Sequence, residues 1–105
     1  MEFLNRIELR GFVGNVRKQK TSDRWMVNFS LATDYSLINA NSCAIVETTW
    51  HNVVAWSSDT CPELGQIEKG SAVYVEGRLR TQRYTDAHGI NRLAHDVVAS
   101  TVRIV

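Results

Sequence analysis

The sequence predicts an all-β fold, a small barrel of five strands with one short helix between the third and the fourth. Apolar residues recur at every second position through most of the chain, the spacing that gathers them on one face of a strand. Helical spacing is confined to one short segment. With 105 residues, 44% of them hydrophobic, and a single proline, the chain is one domain over residues 1–105, large enough to bury a core.

The first strand places Ile7, Leu9 and Val13 against Arg6, Glu8, Arg10 and Phe12 on the other face, with Gly11 and Gly14 as bends or bulges. RKQKTSD reads as a polar hairpin loop. In the second strand, WMVNFSLAT, residues Trp25, Val27, Phe29 and Leu31 share a face, so Trp25 is expected in the core or in hairpin packing. The polar DYSLINANSCAIVE then reads as a long ordered loop, of the kind that usually carries function in so small a domain. The third strand contains ETTWHNVVAW. After it, SSDTCPELGQIEKG offers Ser58 or Asp59 as an N-cap, Pro62 in the first turn, Leu64 and Ile67 on one face and Gly70 as a stop, which predicts a helix of about two turns. The fourth strand points Val73, Val75, Gly77 and Leu79 inward and Tyr74, Glu76, Arg78, Arg80, Gln82 and Tyr84 outward. DAHG is a turn that Gly89 can close with positive φ. The fifth strand runs from Asn91 to Val105 and is expected to bend near Ala99 to Thr101. Five strands with a helix between the third and fourth is the order of an OB-fold barrel, whose sheet face and loops bind oligonucleotides. SH3-like barrels, the structural competitor, usually lack that helix.

Composition excludes several classes. No stretch approaches the roughly 20 apolar residues of a membrane span, and MEFLNRIELRG has charges too frequent for a signal peptide, so a soluble, cytoplasmic chain is expected. Cys43 and Cys61 have no CxxC partner, which favours free thiols. His51, His88 and His95 are too dispersed for a zinc set. No nucleophile elbow, glycine-rich phosphate loop or HExxH motif is present. Neither an enzyme, a metal, a cofactor nor a small-molecule substrate is therefore expected. The net charge of +1 is uninformative, but its distribution is uneven. No Lys or Arg occurs between Trp25 and Glu68, while Arg6, Arg10, Arg17, Lys18, Lys20 and Arg24 form one basic block and Arg78, Arg80, Arg83 and Arg92 another. The two make a basic stripe if the fold brings them together.

In the third strand Trp50, Asn52, Val54 and Trp56 share one face and His51, Val53 and Ala55 the other. If Val53 and Ala55 face the core, both indoles point away from it. Single-stranded nucleic acid needs flat aromatic faces for its bases and cations for its phosphates, and Trp50, Trp56 and Tyr84 with Arg78, Arg80, Arg6 and Arg10 supply both. His51, opposite the indoles, reads as a packing or interface residue.

The segments NRIELRGFVGNV, VNFSLAT, ETTWHNVVAW and EKGSAVYVEGRLRTQRYTDAHGINR, in that order over nearly the whole chain, are similar to those of bacterial-type single-stranded DNA-binding proteins. The resemblance implies an OB-fold, usually a homotetramer with a homodimer as the alternative, coating single-stranded DNA without sequence preference in replication, repair and recombination in the bacterial nucleoid. By position it implies base stacking on Trp50, Trp56 and Tyr84, and groove positions near phosphates for Arg80, Arg78 and Arg10. His51 matches a subunit interface, and the first strand, with Arg6 and Glu8, matches the edge that pairs between subunits. Where the family usually has a further stacking tryptophan this chain has Leu37, with Tyr35 as a substitute if that contact is kept. Typical members continue into a linker and an acidic recruiting tip, whereas this sequence stops at Val105, as a truncated or tail-less member would. RNA as the ligand is a weaker third option. A reading of another class is an OB-fold protein-interaction module, an accessory of a primosome or conjugation system, with weak or no DNA binding.

Overall fold

The computed structural model describes residues 1–21, 23–58 and 60–105. Five long strands, β1 (Ile7–Thr21), β2 (Arg24–Ile38), β3 (Ala44–Trp56), β4 (Ala72–Thr85) and β5 (Asn91–Ile104), close into a barrel in the order β1-β2-β3-β5-β4. All neighbours are antiparallel except β3 and β5, which pair in parallel through Val53–Val97 and Val54–Val98. This is the OB-fold that the element order predicts.

The inward residues of each strand meet in one core. Val13 from β1, Val27, Phe29 and Leu31 from β2, Val53 and Ala55 from β3, Val73 and Val75 from β4, and Val97 and Val102 from β5 are all buried. Two bulges let five strands close at this diameter. In β1, Gly14 and Asn15 stand opposite Ser30 alone. In β5, Ser100 is left over between Ala99 and Thr101, facing Glu76 and Gly77, where the sequence predicts a bend. A Cβ on Gly77 would strike the Val98 carbonyl, and one on Gly11 the Ala32 carbonyl, so both glycines permit close backbone approach.

Three predicted elements differ. The RKQKT of the expected β1–β2 loop is strand, paired through Thr21–Arg24, so this hairpin projects well past the core. The expected long loop of residues 34–47 is a second hairpin, with β2 and β3 paired out to Ile38–Ala44. Its tight turn is closed by Asn39, whose Oδ1 accepts the amides of Asn41 at 2.9 Å and Cys43 at 3.0 Å. Thr48 adds a 2.7 Å hydrogen bond to Asp34 across the strands. Local side-chain bonds of this kind make a polar sequence into strand. The expected two-turn helix shrinks to one 3₁₀ turn, Leu64–Gln66, with no side-chain cap. The segment gives the core Cys61, Leu64 and Ile67, all buried, while Thr60 is tied to the Ser100 carbonyl at 2.5 Å. Ser58 bonds Thr60 instead of capping, and Asp59 lies outside the described residues.

Trp25 and Leu79 carry inward parity yet are exposed, because the sheet continues past the end of the barrel at both places. Trp25 is thus not a core residue. The β4–β5 turn is as expected: Gly89 has φ +76° and Asp86 Oδ1 accepts the amides of His88 and Ile90 at 2.9 and 3.0 Å. Among the described residues no helix is long and apolar enough to cross a membrane, and no cluster of potential metal ligands occurs.

Candidate nucleic-acid interface

The site follows from β3. Val53 and Ala55 are 0% exposed, and alternation then turns Trp50 and Trp56 outward, 61% and 38% exposed. Register extends the outward face sideways. Arg17, Asn28, Val54, Val98 and Arg78 are successive partners in β1, β2, β3, β5 and β4, so they form one row across the wall. The row begins and ends in an exposed arginine. Trp50 and Trp56 flank its middle on either side.

Between the indoles lies a shallow groove of about 430 Å³, lined by Asn15, Arg17, Asn28, Ser30 and Asn52. Ser30 Oγ accepts the Asn15 amide N–H at 2.9 Å, which holds the groove floor. The Trp50 ring leans over the bulge of β1: a Cβ on Gly14 would lie 2.7 Å from both its Cζ3 and Ser30 Oγ. Glycine at position 14 is what lets the edge of the indole approach β1 this closely. Phe12, exposed, falls in the same row as Ala32 and Trp50 and extends this aromatic end.

The remaining predicted residues divide. Arg78 stands on the wall. Arg80 shares its face but is held by Asp96 in a two-toothed ion pair, Nε to Oδ1 at 3.0 Å and Nη2 to Oδ2 at 2.8 Å. Asp96 is buried, and its hydrogen bonds raise the pKa of Arg80 above the usual guanidinium value. A buried carboxylate needs this partner, which makes Arg80 a strut of the wall more than a free cation. Tyr84 keeps the outward parity of Arg78 but lies about 20 Å further along β4, half exposed in a groove with Arg83, Arg92 and Leu93. Arg92 there is paired to Asp86 at 2.6 Å, which lowers the pKa of that carboxyl.

The other residues fall outside the wall. Arg10 lies beside Tyr74, which Arg103 covers from its own side, at 6.0 and 5.0 Å from the ring centre. Arg6 bridges Glu8 and Glu76 at 3.0 and 3.1 Å. Tyr35, 69% exposed, has the parity of His51 and not of Trp50, so the second hairpin turns it away from the indoles. Leu37 shares the parity of Tyr35. His51 is half-buried, with Nε2 at 2.8 Å from Thr33 Oγ1, and burial lowers its pKa. It lies on the opposite face from the indoles, where its parity puts it.

The sequence marks Gly14 as a bend or bulge, which it is, but not as the seat of Trp50, and it does not mark the asparagines of the groove or Asp96 as the partner of Arg80. The others depend on the exact register within the β1–β2, β2–β3 and β4–β5 hairpins, which alternation along one strand does not fix.

Residues 4–105 match the single-strand binding protein family. "Single-stranded DNA-binding protein 1" of Chlorobaculum tepidum is 33% identical over 107 residues, covering 97% of this chain and 65% of the relative. The single-stranded DNA-binding protein of Neisseria meningitidis serogroup A is 32% identical over 106 residues, covering 97% of this chain and 60% of the relative. This chain thus spans under two thirds of the length of these relatives. Among solved structures, Plasmodium falciparum SSB in complex with ssDNA superimposes with a TM-score of 0.86 at 23% identity, covering 100% of this chain and 97% of that one. A deletion mutant of the single-stranded DNA binding protein from Thermus aquaticus gives 0.77 at 19% identity, covering 97% and 50%.

The packing of Trp50 on Gly14 is testable. Gly14→Val should push the indole off β1, changing the near-ultraviolet dichroism and tryptophan emission while leaving the far-ultraviolet spectrum unchanged. Gly65→Ala, whose Cβ would have nothing within 4 Å, serves as the control and should alter neither signal.

Proposed function

The chain belongs to the single-strand binding protein family, and we propose that it coats single-stranded DNA without sequence preference, protecting strands exposed in replication, repair and recombination. The observation that carries this reading is the pair of outward indoles flanking a row that begins and ends in arginine. The names of its relatives and the single-stranded DNA bound to its Plasmodium neighbour point the same way.

Bases rest on Trp50 and Trp56, each stack contributing about 1–3 kcal/mol whichever base it is, because every base has a π-face. The amides of Asn28 and Asn52 between them offer both donors and acceptors, so they accommodate any base edge and favour none. Phosphates meet Arg17 and Arg78 and release counterions, which makes affinity fall with salt. Arg80 keeps Asp96 neutralised and holds β4 against β5. Tyr84 and Arg83 on the projecting β4–β5 hairpin extend the path.

The protein works as a homotetramer in this reading. Ile7–Gly11 pair with β4 along one edge and, among the described residues, with no strand along the other, since β2 leaves β1 after Ala32. An open strand edge of this length recruits another strand, and a second copy of β1 is the partner we assign. The Thr33 methyl would lie 3.4 Å from a Cβ on Gly11, so the Thr33–His51 pair borders this edge.

Trp50→Ala with Trp56→Ala should weaken oligo-dT binding by about 2 kcal/mol or more at fixed salt, with the thermal midpoint nearly unchanged; equal affinity would remove the stacking claim. In a salt titration, Arg78→Ala should flatten the slope by about 0.7, whereas Arg80→Ala should cost thermal stability. Little binding by the unaltered protein at physiological salt would favour a protein-docking module instead. Light scattering should report one species heavier than a monomer, and a strict monomer at working concentration would remove the edge-pairing proposal.

A further inference from the structure

The wall leaves one part of the molecule unexplained, the end of the β1–β2 hairpin. Trp25 there is 40% exposed, although Val27, two positions on along the same face of β2, is fully buried. The Trp25 backbone is nonetheless fixed: its N–H donates to Ser57 Oγ at 3.0 Å, and its carbonyl accepts the Ser57 N–H at 2.9 Å. Ser57 follows Trp56 directly. The third indole is therefore held beside the second, on the other side of the same two-stranded ribbon.

Both rings carry a cation. Arg24 Cζ lies 5.2 Å from the centre of Trp56, and Lys20 Nζ lies 5.7 Å from the centre of Trp25. Each is within the range where a cation is drawn to the ring face. Among the described residues neither makes an ion pair, and Asp23 is the hairpin's one acid. Lys18 differs, since its ammonium is spent on the Gly65 carbonyl at 2.7 Å. Each of the two indoles thus has one cation beside it, a flat face and a charge together, as a nucleotide presents a base and a phosphate together.

We propose that Lys20, Arg24 and Trp25 form a further nucleotide subsite, by which single-stranded DNA leaving Trp56 rounds the end of the ribbon and stacks its next exposed base on Trp25. The subsite rests on the function proposed above. In the free protein Arg24 and Lys20 cover part of each ring. When a base arrives it takes the ring face, and the displaced cation reaches the phosphate of the same nucleotide by side-chain rotation alone. Guanidinium and ammonium serve both states because each pairs with a π-face and with a phosphate.

The test uses oligo-dT of increasing length with the unaltered protein, Trp25→Ala and Trp50→Ala/Trp56→Ala. Trp25→Ala should lower the ratio of long-oligomer to short-oligomer affinity by about 5-fold to 150-fold, the equivalent of one stacked base. Lys20→Gln should flatten the salt slope for long oligomers by about 0.7. Trp50→Phe/Trp56→Phe leaves Trp25 as the sole indole, and its fluorescence should be quenched by long oligo-dT and not by short. An unchanged length ratio in Trp25→Ala, or an unquenched Trp25 on binding, overturns the subsite while the wall stands if Trp50→Ala/Trp56→Ala still weakens short oligomers. Absence of binding by the unaltered protein brings down the proposed function and the subsite together.

Discussion

One constraint organises this molecule: along β3, successive side chains point to opposite sides, and one side is committed to the core. Val53 and Ala55 are fully buried among Phe29, Leu31 and Val97. With that commitment made, Trp50 and Trp56 have only the outer wall to occupy. A slip of one residue in the β2–β3 register would bury two indoles and expose the core valine, so the energy that packs the barrel also presents the aromatic surface. Folding and site geometry are the same set of contacts seen from the two faces of one strand.

Charge on the wall is sorted by the same register. Arg17 and Arg78 end the central row and make no ion pair among the described residues, while Arg80, two residues from Arg78 on the same face, is committed to Asp96. The difference lies in the cross-strand partner. Arg78 faces Val98 and has nothing to neutralise, whereas Arg80 faces a carboxylate that burial would otherwise leave uncompensated. Arg6, between Glu8 and Glu76, and Arg10, against Tyr74, sit on the β1–β4 side, where they border the open edge of β1 rather than the indoles. A chain with a net charge of +1 thereby keeps cations near the indoles that make no ion pair among the described residues, while Arg6, Arg80 and Arg92 are paired with carboxylates.

How much of this was legible in the sequence depends on the range of the interaction concerned. The barrel, its five strands and the outward indoles follow from period-two patterning, which is local and therefore visible. The bulge at Ser100 was foreshadowed by the expected bend near Ala99. Strand lengths were underread, because Asn39 closes a turn and Thr48 bonds Asp34 only once the hairpin has formed. The predicted two-turn helix contracted because tertiary demands on Leu64 and Ile67 are met by a single 3₁₀ turn. Tyr35 lost its place beside Trp50 once residues 34–47 proved to be paired strand with a fixed parity. The Arg80–Asp96 pair depends on the register of the β4–β5 hairpin, and the packing of Trp50 on Gly14 on two strands with β2 between them; alternation along a single strand encodes neither.

The most direct measurement is photo-crosslinking of a halogenated oligo-deoxyuridine bound to the unaltered protein, with the modified peptides identified by mass spectrometry. The stacked geometry predicts adducts on Trp50 and Trp56. Adducts confined to other residues, with both of these indoles unmodified in a bound complex, would contradict it.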